Sequence, residues 1–207
     1  MNLQHRGEDM KDKIIFATTN EGKMKEIRMI LQDLGYDILS MKEAGIQLDI
    51  VEDGDTFEEN AIIKAKTIME LTGEIVLADD SGLEVDAMDK APGIYSARFM
   101  GEDTSYDIKN QYIINKLEGL SQDERSARFV CAIACAFPND EILTTRGTIE
   151  GFIGKKIVGE NGFGYDPIFV VPEYGCTTAE LTPEIKNEIS HRGKALKAMK
   201  EIIRSKK

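Results

Sequence analysis

Two adjacent carboxylates, Asp79 and Asp80, follow a short apolar run over residues 75–78 that is typical of a buried strand. Neighbouring strand side chains point to opposite faces, so one carboxylate can face the crevice at the strand's carboxyl end, where open α/β sheets bind ligands. With Glu52 from an acidic loop brought close, the carboxylates suit Mg²⁺, which takes a few of them and leaves positions for water and phosphate. An Asx turn that merely closes the strand is the alternative.

A second group of candidates lies between a predicted strand and a predicted helix and comprises Thr18, Thr19, Asn20, Glu21, Gly22 and Lys23. A helix N-terminus presents unpaired N–H groups and the positive end of the helix dipole, and both attract phosphate. Lys23 adds a full charge, and Gly22 permits close approach of the backbone. The alternative is that Asn20 only caps the helix and Lys23 is solvated, since the segment lacks the Gly-Lys-Ser/Thr ending of a P-loop.

Asn60 and Lys64 form a third candidate pair, one helical turn apart on a second predicted helix and roughly opposite its apolar arc. Both side chains can reach the crevice that the carboxylates face. A solvated helix surface that carries an amide and an ammonium is the plainer interpretation.

Two segments near the C-terminus carry groups that suit a nucleobase. Phe163 stands between Gly162 and Gly164, so nothing beside the ring obstructs a base, and stacking on an aromatic ring contributes about 1–3 kcal/mol. Its alternative is a tight turn with a buried phenylalanine. His191 and Arg192 precede a glycine at a predicted helix start, where donors can read the carbonyl oxygens of a base.

Buried strands interspersed with helices predict the α/β fold that must position these residues. We expect strands over 13–18, 37–40, 75–78, 127–137 and 141–149, and helices over about 24–34, 57–71, 105–117 and 188–204. Thr56 and Glu59 predict a capping box at the second helix. Ile108, Tyr112, Ile113 and Leu117 are expected to share one apolar face of the third helix. The glycine-rich stretch 147–164 is expected to run over the surface.

The composition bounds the class of protein. The chain has 207 residues and a formal net charge of −11. This acidity argues against a nucleic-acid polymer as partner, because polyanion binders normally carry a basic surface, whereas a single nucleotide needs only a local pocket. The sequence has no apolar run long enough for a membrane span, and residues 1–12 form a polar leader without signal-peptide character, so a cytoplasmic protein is expected. Residues 13–207 are expected to form a single domain.

The three cysteines, Cys131, Cys135 and Cys176, have no histidine neighbours, and two of them lie in an apolar run. This pattern predicts buried, reduced thiols rather than a zinc site or a catalytic nucleophile.

Five sequence blocks, in fixed order over residues 13–203, resemble the inosine triphosphate pyrophosphatase family, the XTP/dITP diphosphatases that remove deaminated purine nucleotides. The blocks are FATTNEGKMKEI, TFEENAIIKAK, ADDSGLEVDAMDKAPGIYSAR, GFGYDPIF and LTPEIKNEISHRGKAL. The resemblance implies an elongated α/β protein with a mixed sheet flanked by helices, two lobes, a central cleft and a homodimeric state. It also implies Mg²⁺-dependent hydrolysis of ITP, dITP and XTP to the monophosphate and pyrophosphate, which would keep these nucleotides out of DNA and RNA.

The same resemblance assigns roles to single residues. It implies Asp80 as catalytic carboxylate and metal ligand, Glu52 as the second ligand and Lys64 as a catalytic residue that helps to hold the triphosphate. Our mechanistic hypothesis is in-line attack by water, with Asp80 accepting its proton. The residues implied in substrate binding are Thr18, Thr19, Asn20, Glu21, Gly22, Lys23, Ser81, Phe163, Gly164, Tyr165, Asp166, Lys186, His191 and Arg192.

A basic pocket inside an acidic protein is then expected, formed by Lys23, Lys64, Lys186 and Arg192. Two alternative functions stay open at this point. One is a related diphosphatase that favours pyrimidine or methylated nucleotides, and the other is a nucleotide-binding regulator without turnover.

Overall fold

The computed structural model describes residues 12–206, so residues 1–11 of the predicted leader lie outside the described residues. The strands are β1 (Lys13–Phe16), β2 (Asp37–Ser40), β3 (Ile75–Val85), β4 (Ser126–Ala136), β5 (Ile142–Ile153), β6 (Phe169–Val171) and β7 (Cys176–Thr177). The helices are α1 (Glu21–Leu31), α2 (Phe57–Thr72), α3 (Tyr106–Lys116), α4 (Pro183–Ile189) and α5 (His191–Ser205). None of these helices is long and apolar enough to cross a membrane.

The seven strands of residues 12–206 form one mixed sheet in the order β2-β1-β3-β4-β5-β6-β7. β1 runs parallel to both β2 and β3, and the remaining neighbours are antiparallel. A mixed sheet with flanking helices confirms the predicted α/β class.

Helices cover both faces of this sheet. α1 and α5 pack on one face, with buried side chains such as Met24 and Leu196, and α2 packs on the other face. On β1, Phe16 belongs to the first cluster and Ile15 to the second, as the alternation of strand side chains requires. A third cluster joins α3 and β6 to the parts of β3, β4 and β5 that lie farther from β1.

The strand that carries the adjacent carboxylates is longer than predicted. β3 continues to Val85, so Asp79 and Asp80 lie within it rather than at its carboxyl end, and the Asx-turn interpretation is wrong. The reason is β4, which pairs with all but the first residue of β3 and satisfies its backbone groups along that length. β1 stops at the Phe16–Leu77 pair, so both carboxylates still lie just beyond the carboxyl end of a parallel neighbour.

α2 begins with the predicted capping box, in which Thr56 Oγ1 accepts from Glu59 N and the Glu59 carboxylate accepts from Thr56 N. It ends where Gly73 takes a left-handed conformation, with φ of 69°. Asn60 and Lys64 lie on the buried face of α2, with 0% and 8% exposure, and not opposite its apolar arc as predicted. This part of the buried face is polar because it meets a carboxylate of β3 instead of apolar side chains.

α3 buries only part of the predicted face. Ile113 and Leu117 are buried, with 0% and 1% exposure, whereas Ile108 and Tyr112 are 55% and 38% exposed, so the expectation was wrong for the last two. The buried face also contains Lys109 and Asn110. This polar pair interrupts the apolar period on the inward side, so the hydrophobic pattern did not reveal the full buried face.

The predicted C-terminal helix is two helices. α4 ends at Ile189, and Ser190 has an extended backbone, with φ of −67° and ψ of 158°. The Ser190 hydroxyl accepts from Gly193 N at 3.0 Å and so caps α5. This break places His191 and Arg192 in the first turn of a new helix.

The glycine-rich stretch does not begin on the surface as predicted. Gly147 lies within β5, and a Cβ added there would overlap the carbonyl oxygen of His191 and lie 2.8 Å from Ala195 N. The backbone of α5 therefore packs directly on the backbone of β5, and this contact needs a residue without a side chain.

We expect Gly147→Ala to lower the free energy of unfolding by about 1–3 kcal/mol, because the added methyl must push α5 away from the sheet. Gly154→Ala is the matched control, since its Cβ would first meet a Val170 methyl group at 3.2 Å, and it should cost less than about 1 kcal/mol. Urea unfolding followed by circular dichroism measures both values. Equal losses in the two variants would contradict the direct backbone contact.

Cys131 and Cys135 are free and buried, as predicted, and burial raises the pKa of both thiols to about 12. Cys176 is free but only partly buried, so the prediction was wrong for this residue. It begins the two-residue strand β7 at the edge of the sheet, where fewer atoms cover it.

Candidate active site

A cavity of about 600 Å³ opens beside the carboxyl end of β1, and this volume is typical of small-molecule sites. The predicted site residues that line it are Thr18, Thr19, Asn20, Lys23, Glu52, Lys64, Ser81, Phe163, Gly164, Tyr165, Asp166, Lys186, His191 and Arg192. Glu21, Gly22 and Asp80 are not among the lining residues. Asp80 nevertheless contacts Lys64 of the lining, so the site continues behind the cavity wall.

Asp79 points to the face of the sheet that α1 and α5 cover, and it is 1% exposed. Lys23 Nζ lies 3.0 Å from Asp79 Oδ2, and Arg192 Nη2 lies 3.2 Å from the same oxygen. Ser81 Oγ donates to Asp79 at 3.2 Å and accepts from Arg192 at 2.9 Å. Because both cations come from the first turn of a helix, the N-termini of α1 and α5 meet at this carboxylate.

Asp80 points to the opposite face, toward α2, as the alternation along a strand predicts. Asn60 Nδ2 donates to Asp80 Oδ2 at 3.3 Å, and Lys64 Nζ lies 3.5 Å from Asp80 Oδ1. The same ammonium lies 2.8 Å from Glu52 Oε2. One cation is therefore shared by two carboxylates. Lys64 lines the cavity as predicted, whereas Asn60 contacts Asp80 behind the cavity wall and is not among the lining residues.

The two neighbouring carboxylates differ in their electrostatics. Burial alone would raise the pKa of Asp79, but the charges of Lys23 and Arg192 outweigh it and lower that pKa below its ordinary value. Burial raises the pKa of Asp80 to about 6, and Glu52 adds to this effect while Lys64 opposes it. A group with a pKa near neutrality can accept and release a proton during a reaction, whereas a carboxylate that stays ionised acts as a fixed charge.

Lys64 keeps its charge in this setting. Burial acts to lower the pKa of its ammonium, but the carboxylates of Asp80, Asp79 and Glu52 outweigh burial and raise that pKa. An ammonium that stays protonated supplies a permanent positive charge beside Asp80.

Glu26 of α1 is a site residue that the sequence analysis missed. Its carboxylate lies 2.6 Å from Arg192 Nη1 and 2.8 Å from Lys186 Nζ, and Lys186 also lies 2.6 Å from Asp166 Oδ2. The available signal was helical spacing, because Glu26 follows Lys23 by three residues and so lies on the same side of α1.

Phe163 presents its ring to the cavity and to two cations. Lys186 Nζ and Arg192 Cζ lie 5.1 and 5.5 Å from the ring centroid, within the range of cation–π contacts. A Cβ on Gly22 would lie 3.0 Å from the ring of Phe163. Gly22 therefore allows the ring to pack closely and does not itself line the cavity.

The alternative interpretation of Phe163 was a tight turn with a buried ring. Phe163 N donates to Asp166 Oδ2 at 2.8 Å and closes a turn, but the ring is only partly buried, so that interpretation is wrong for the ring.

His191 is buried and stacks on Phe129, with centroids 4.8 Å apart and an interplanar angle of 18°. Burial, together with the charges of Arg192 and Lys186, lowers the pKa of the imidazole well below its ordinary value, so it is neutral at pH 7. Within residues 12–206, nothing forms a hydrogen bond with its Nδ1. Buried polar atoms are normally paired, so this nitrogen is an exception among the described residues.

The segment before α1 combines both of its interpretations. Asn20 caps the helix, since its Oδ1 accepts from Lys23 N at 3.0 Å, and Thr18 and Thr19 line the cavity beside it. Lys23 is not simply solvated, because its ammonium contacts Asp79. Glu21 is exposed and does not line the cavity.

The cavity is not the basic pocket that the sequence analysis predicted. Each of its four cations contacts at least one carboxylate: Lys23, Lys64, Lys186 and Arg192. The carboxylates in these pairs are Glu26, Glu52, Asp79, Asp80 and Asp166. Five negative groups against four positive ones give a formal charge of −1, so an incoming anion meets no net positive charge.

Glu52 and Asp80 fit a divalent cation. They share the single ammonium of Lys64, and among residues 12–206 no other cation lies within ion-pair distance of either carboxylate. Within residues 12–206, no three Asp, Glu, His or Cys side chains are placed together as a metal site. A pair of carboxylates is what Mg²⁺ uses when water and substrate phosphates complete its coordination.

Comparisons with known proteins identify the family. The model of the Ham1 family matches residues 14–202. The dITP/XTP pyrophosphatase of Desulforamulus reducens is 53% identical to this chain over 191 residues, which cover 92% of this chain and 95% of that protein. The dITP/XTP pyrophosphatase of Bacillus subtilis is 45% identical over 194 residues, which cover 94% of this chain and 98% of that protein. The structure of the Staphylococcus aureus Ham1 protein has a TM-score of 0.84 at 40% identity, covering 95% of this chain and 100% of that one. The chain belongs to the Ham1 family, which confirms the resemblance seen in its sequence blocks.

Proposed function

We propose that this chain hydrolyses the deaminated purine nucleotides ITP, dITP and XTP to the nucleoside monophosphate and pyrophosphate, and thereby keeps them out of DNA and RNA. The main support for this proposal is that β3 places two groups of charged residues of one site on its two opposite faces. Asp80 lies with Lys64 and Glu52 on one face, and Asp79 lies with Arg192 on the other. This division supplies a reacting end and a recognition end. Two relatives at 53% and 45% identity bear the name dITP/XTP pyrophosphatase, which supports the same substrate class.

The proposal includes Mg²⁺ held by Glu52 and Asp80. A triphosphate brings several negative charges to a cluster whose formal charge is already −1, so its binding requires added positive charge. A bound Mg²⁺ would neutralise phosphate charge and lower the pKa of a coordinated water.

The protein's own groups divide the remaining chemistry. The Asp80 carboxylate takes the proton of the attacking water. Without a metal its pKa of about 6 already leaves it mostly ionised at pH 7, and a bound Mg²⁺ would favour the ionised form further. The ammonium groups of Lys64 and Lys23 donate to oxygens of the leaving pyrophosphate and stabilise the charge that grows there. Backbone N–H groups at the start of α1 bind the same phosphates.

Arg192 and His191 recognise the purine from its 6-oxo side in this proposal. Arg192 makes four hydrogen bonds to Glu26, Asp79 and Ser81, which leaves one N–H of Nη1 without an acceptor in residues 12–206. A 6-oxo oxygen would accept from that N–H, whereas the 6-amino group of adenine would bring a second donor against it.

The proposal extends to the homodimer that the family resemblance implies. It also includes the cytoplasmic location and the single domain over residues 13–207 that the composition and the length of the chain predict. The strands of residues 12–206 belong to one sheet, which supports the single domain. Size-exclusion chromatography with light scattering tests the dimer, and a mass of one chain would contradict it.

A substrate panel tests the function. Pyrophosphate release is measured with Mg²⁺ and ITP, dITP, XTP, GTP, ATP or UTP. We expect kcat/KM for the first three to exceed that for ATP and UTP by about 10²-fold or more, because a site built to donate to the 6-oxo group rejects bases without it. Higher activity on UTP would favour the pyrimidine alternative, and silence on every triphosphate would favour the regulator.

A further inference from the structure

Two neighbouring residues of α3 each support a different wall of the cavity. Lys109 Nζ donates to the carbonyl oxygen of Ala97 at 2.8 Å, and Asn110 Nδ2 donates to the carbonyl oxygen of Gly164 at 3.0 Å. Ala97 and Gly164 both line the cavity, whereas Lys109 and Asn110 do not, and each of these two side chains is 1% exposed. The contacts of α3 therefore reach the site through the backbone of other segments.

Lys109 is an unusual residue to bury. Within residues 12–206, no carboxylate lies within ion-pair distance of its ammonium, and burial lowers its pKa. Its Nζ lies 4.9 Å from the ring centroid of Tyr106, which also lines the cavity. Because a buried ammonium is costly without a carboxylate, a bond that fixes the Ala97 carbonyl gives this lysine a specific role.

A third contact joins the two walls directly. Tyr165 Oη donates to the carbonyl oxygen of Ser96 at 2.8 Å, and the Tyr165 ring packs edge-on against Tyr106 with centroids 5.2 Å apart. The wall formed by Ser96 and Ala97, the wall formed by Gly164 and Tyr165, and α3 are thus linked pairwise. Three segments joined in this way hold a fixed separation, because no one of them can move without breaking two of the contacts.

We propose that Lys109 and Asn110 are positioning residues that set the separation of the two cavity walls and thereby the affinity for the nucleoside part of the substrate. The inference rests on the proposed function, since it assumes a nucleotide in this cavity. The Gly164–Tyr165 wall follows Phe163, which faces Lys186 and Arg192. Asp80 and Lys64, at the reacting end of the site, form no hydrogen bond or ion pair with α3 among the described residues.

This arrangement predicts a change in KM rather than in kcat. A contact to the nucleoside that is equal in the ground state and in the transition state affects binding alone. We expect Lys109→Met and Asn110→Ala each to raise the KM for ITP about tenfold while kcat stays within about twofold. Inhibition by pyrophosphate, which occupies only the phosphate end, should be unchanged in both variants.

The matched controls are Lys116→Met and Asn115→Ala, which make the same changes at exposed positions of the same helix. Steady-state kinetics with ITP and Mg²⁺ are measured for the unmodified protein and the four variants, together with the Ki of pyrophosphate. Asn110→Ala keeps the test valid if Lys109→Met does not fold, because Asn110 Oδ1 already lacks a partner within residues 12–206 and only the Gly164 carbonyl would lose one.

A raised KM in the two buried variants, with an unchanged Ki for pyrophosphate, would support the inference. A KM equal to that of the controls would overturn it, as would a fall in kcat at unchanged KM. The proposed function is judged separately, because it stands or falls with turnover of ITP by the unmodified protein.

Discussion

Asp80→Asn abolishes turnover in this account: we expect the rate of pyrophosphate release from ITP to fall by about 10³-fold, because the amide cannot take the proton of the attacking water. The substitution also removes one of the two carboxylates proposed to hold Mg²⁺. Lys64 keeps Glu52 as a partner at 2.8 Å, so the cavity retains its ion pair and its shape. Activity near that of the unmodified protein would contradict the role of Asp80.

The same variant should be more stable than the unmodified protein at pH 7.5 in the absence of divalent cations. The pKa of Asp80 is about 6 in the folded state and 3.8 in the unfolded state. The folded state therefore binds this proton more tightly, and the free energy of unfolding falls as the pH rises from about 4 to about 6. The neutral amide avoids that loss, and the gain is at most about 3 kcal/mol. Urea unfolding with EDTA measures it, and the gain should disappear below about pH 4.

Asp79→Asn, one residue earlier, should have the opposite effect on stability. Lys23 and Arg192 both contact this carboxylate, and within the described part of the chain Lys23 has no other carboxylate at ion-pair distance. Removing one partner of a buried ion pair leaves an uncompensated charge and costs about 3–5 kcal/mol. We expect the free energy of unfolding at pH 7.5 to fall by about that amount, while the matched variant Asp80→Asn rises.

The pH dependence separates this explanation from simple loss of packing. Because the pKa of folded Asp79 lies below its ordinary value of 3.8, its stabilising effect is present above that pH and is lost as the pH falls through the folded pKa. The difference between the unmodified protein and Asp79→Asn should therefore be constant from pH 8 to pH 5 and shrink below pH 4. A difference that does not change down to pH 3 would contradict the ion-pair explanation.

Local signals in the sequence predicted much of the fold and most of the lining of the site. The capping box of Thr56 and Glu59 and the bounds of β2 depend on residues close in the chain, and both are as predicted. The length of β3 could not be read in this way, because it depends on antiparallel pairing with β4, about fifty residues later. The buried face of α3 was predicted only in part for a related reason, since Lys109 and Asn110 are buried against backbone carbonyls that the sequence pattern does not reveal.

The charge of the site shows the same limit. The types and positions of Lys23, Lys186 and Arg192 indicated a basic pocket. The structure places Asp79 and Glu26 against these cations, from a different strand and a different helix turn. Which carboxylate meets which cation is decided by the packing of α1 and α5 on the sheet, and no local pattern encodes it. The result is a cluster with a formal charge of −1 rather than a pocket with net positive charge.

The products of ITP hydrolysis show which phosphate bond the protein cleaves. The protein is incubated with ITP and Mg²⁺, the products are separated by ion-exchange chromatography, and a parallel reaction contains EDTA. We expect IMP and pyrophosphate in equal amounts with Mg²⁺ and no products with EDTA. Formation of IDP and orthophosphate, or equal turnover with EDTA, would contradict this expectation.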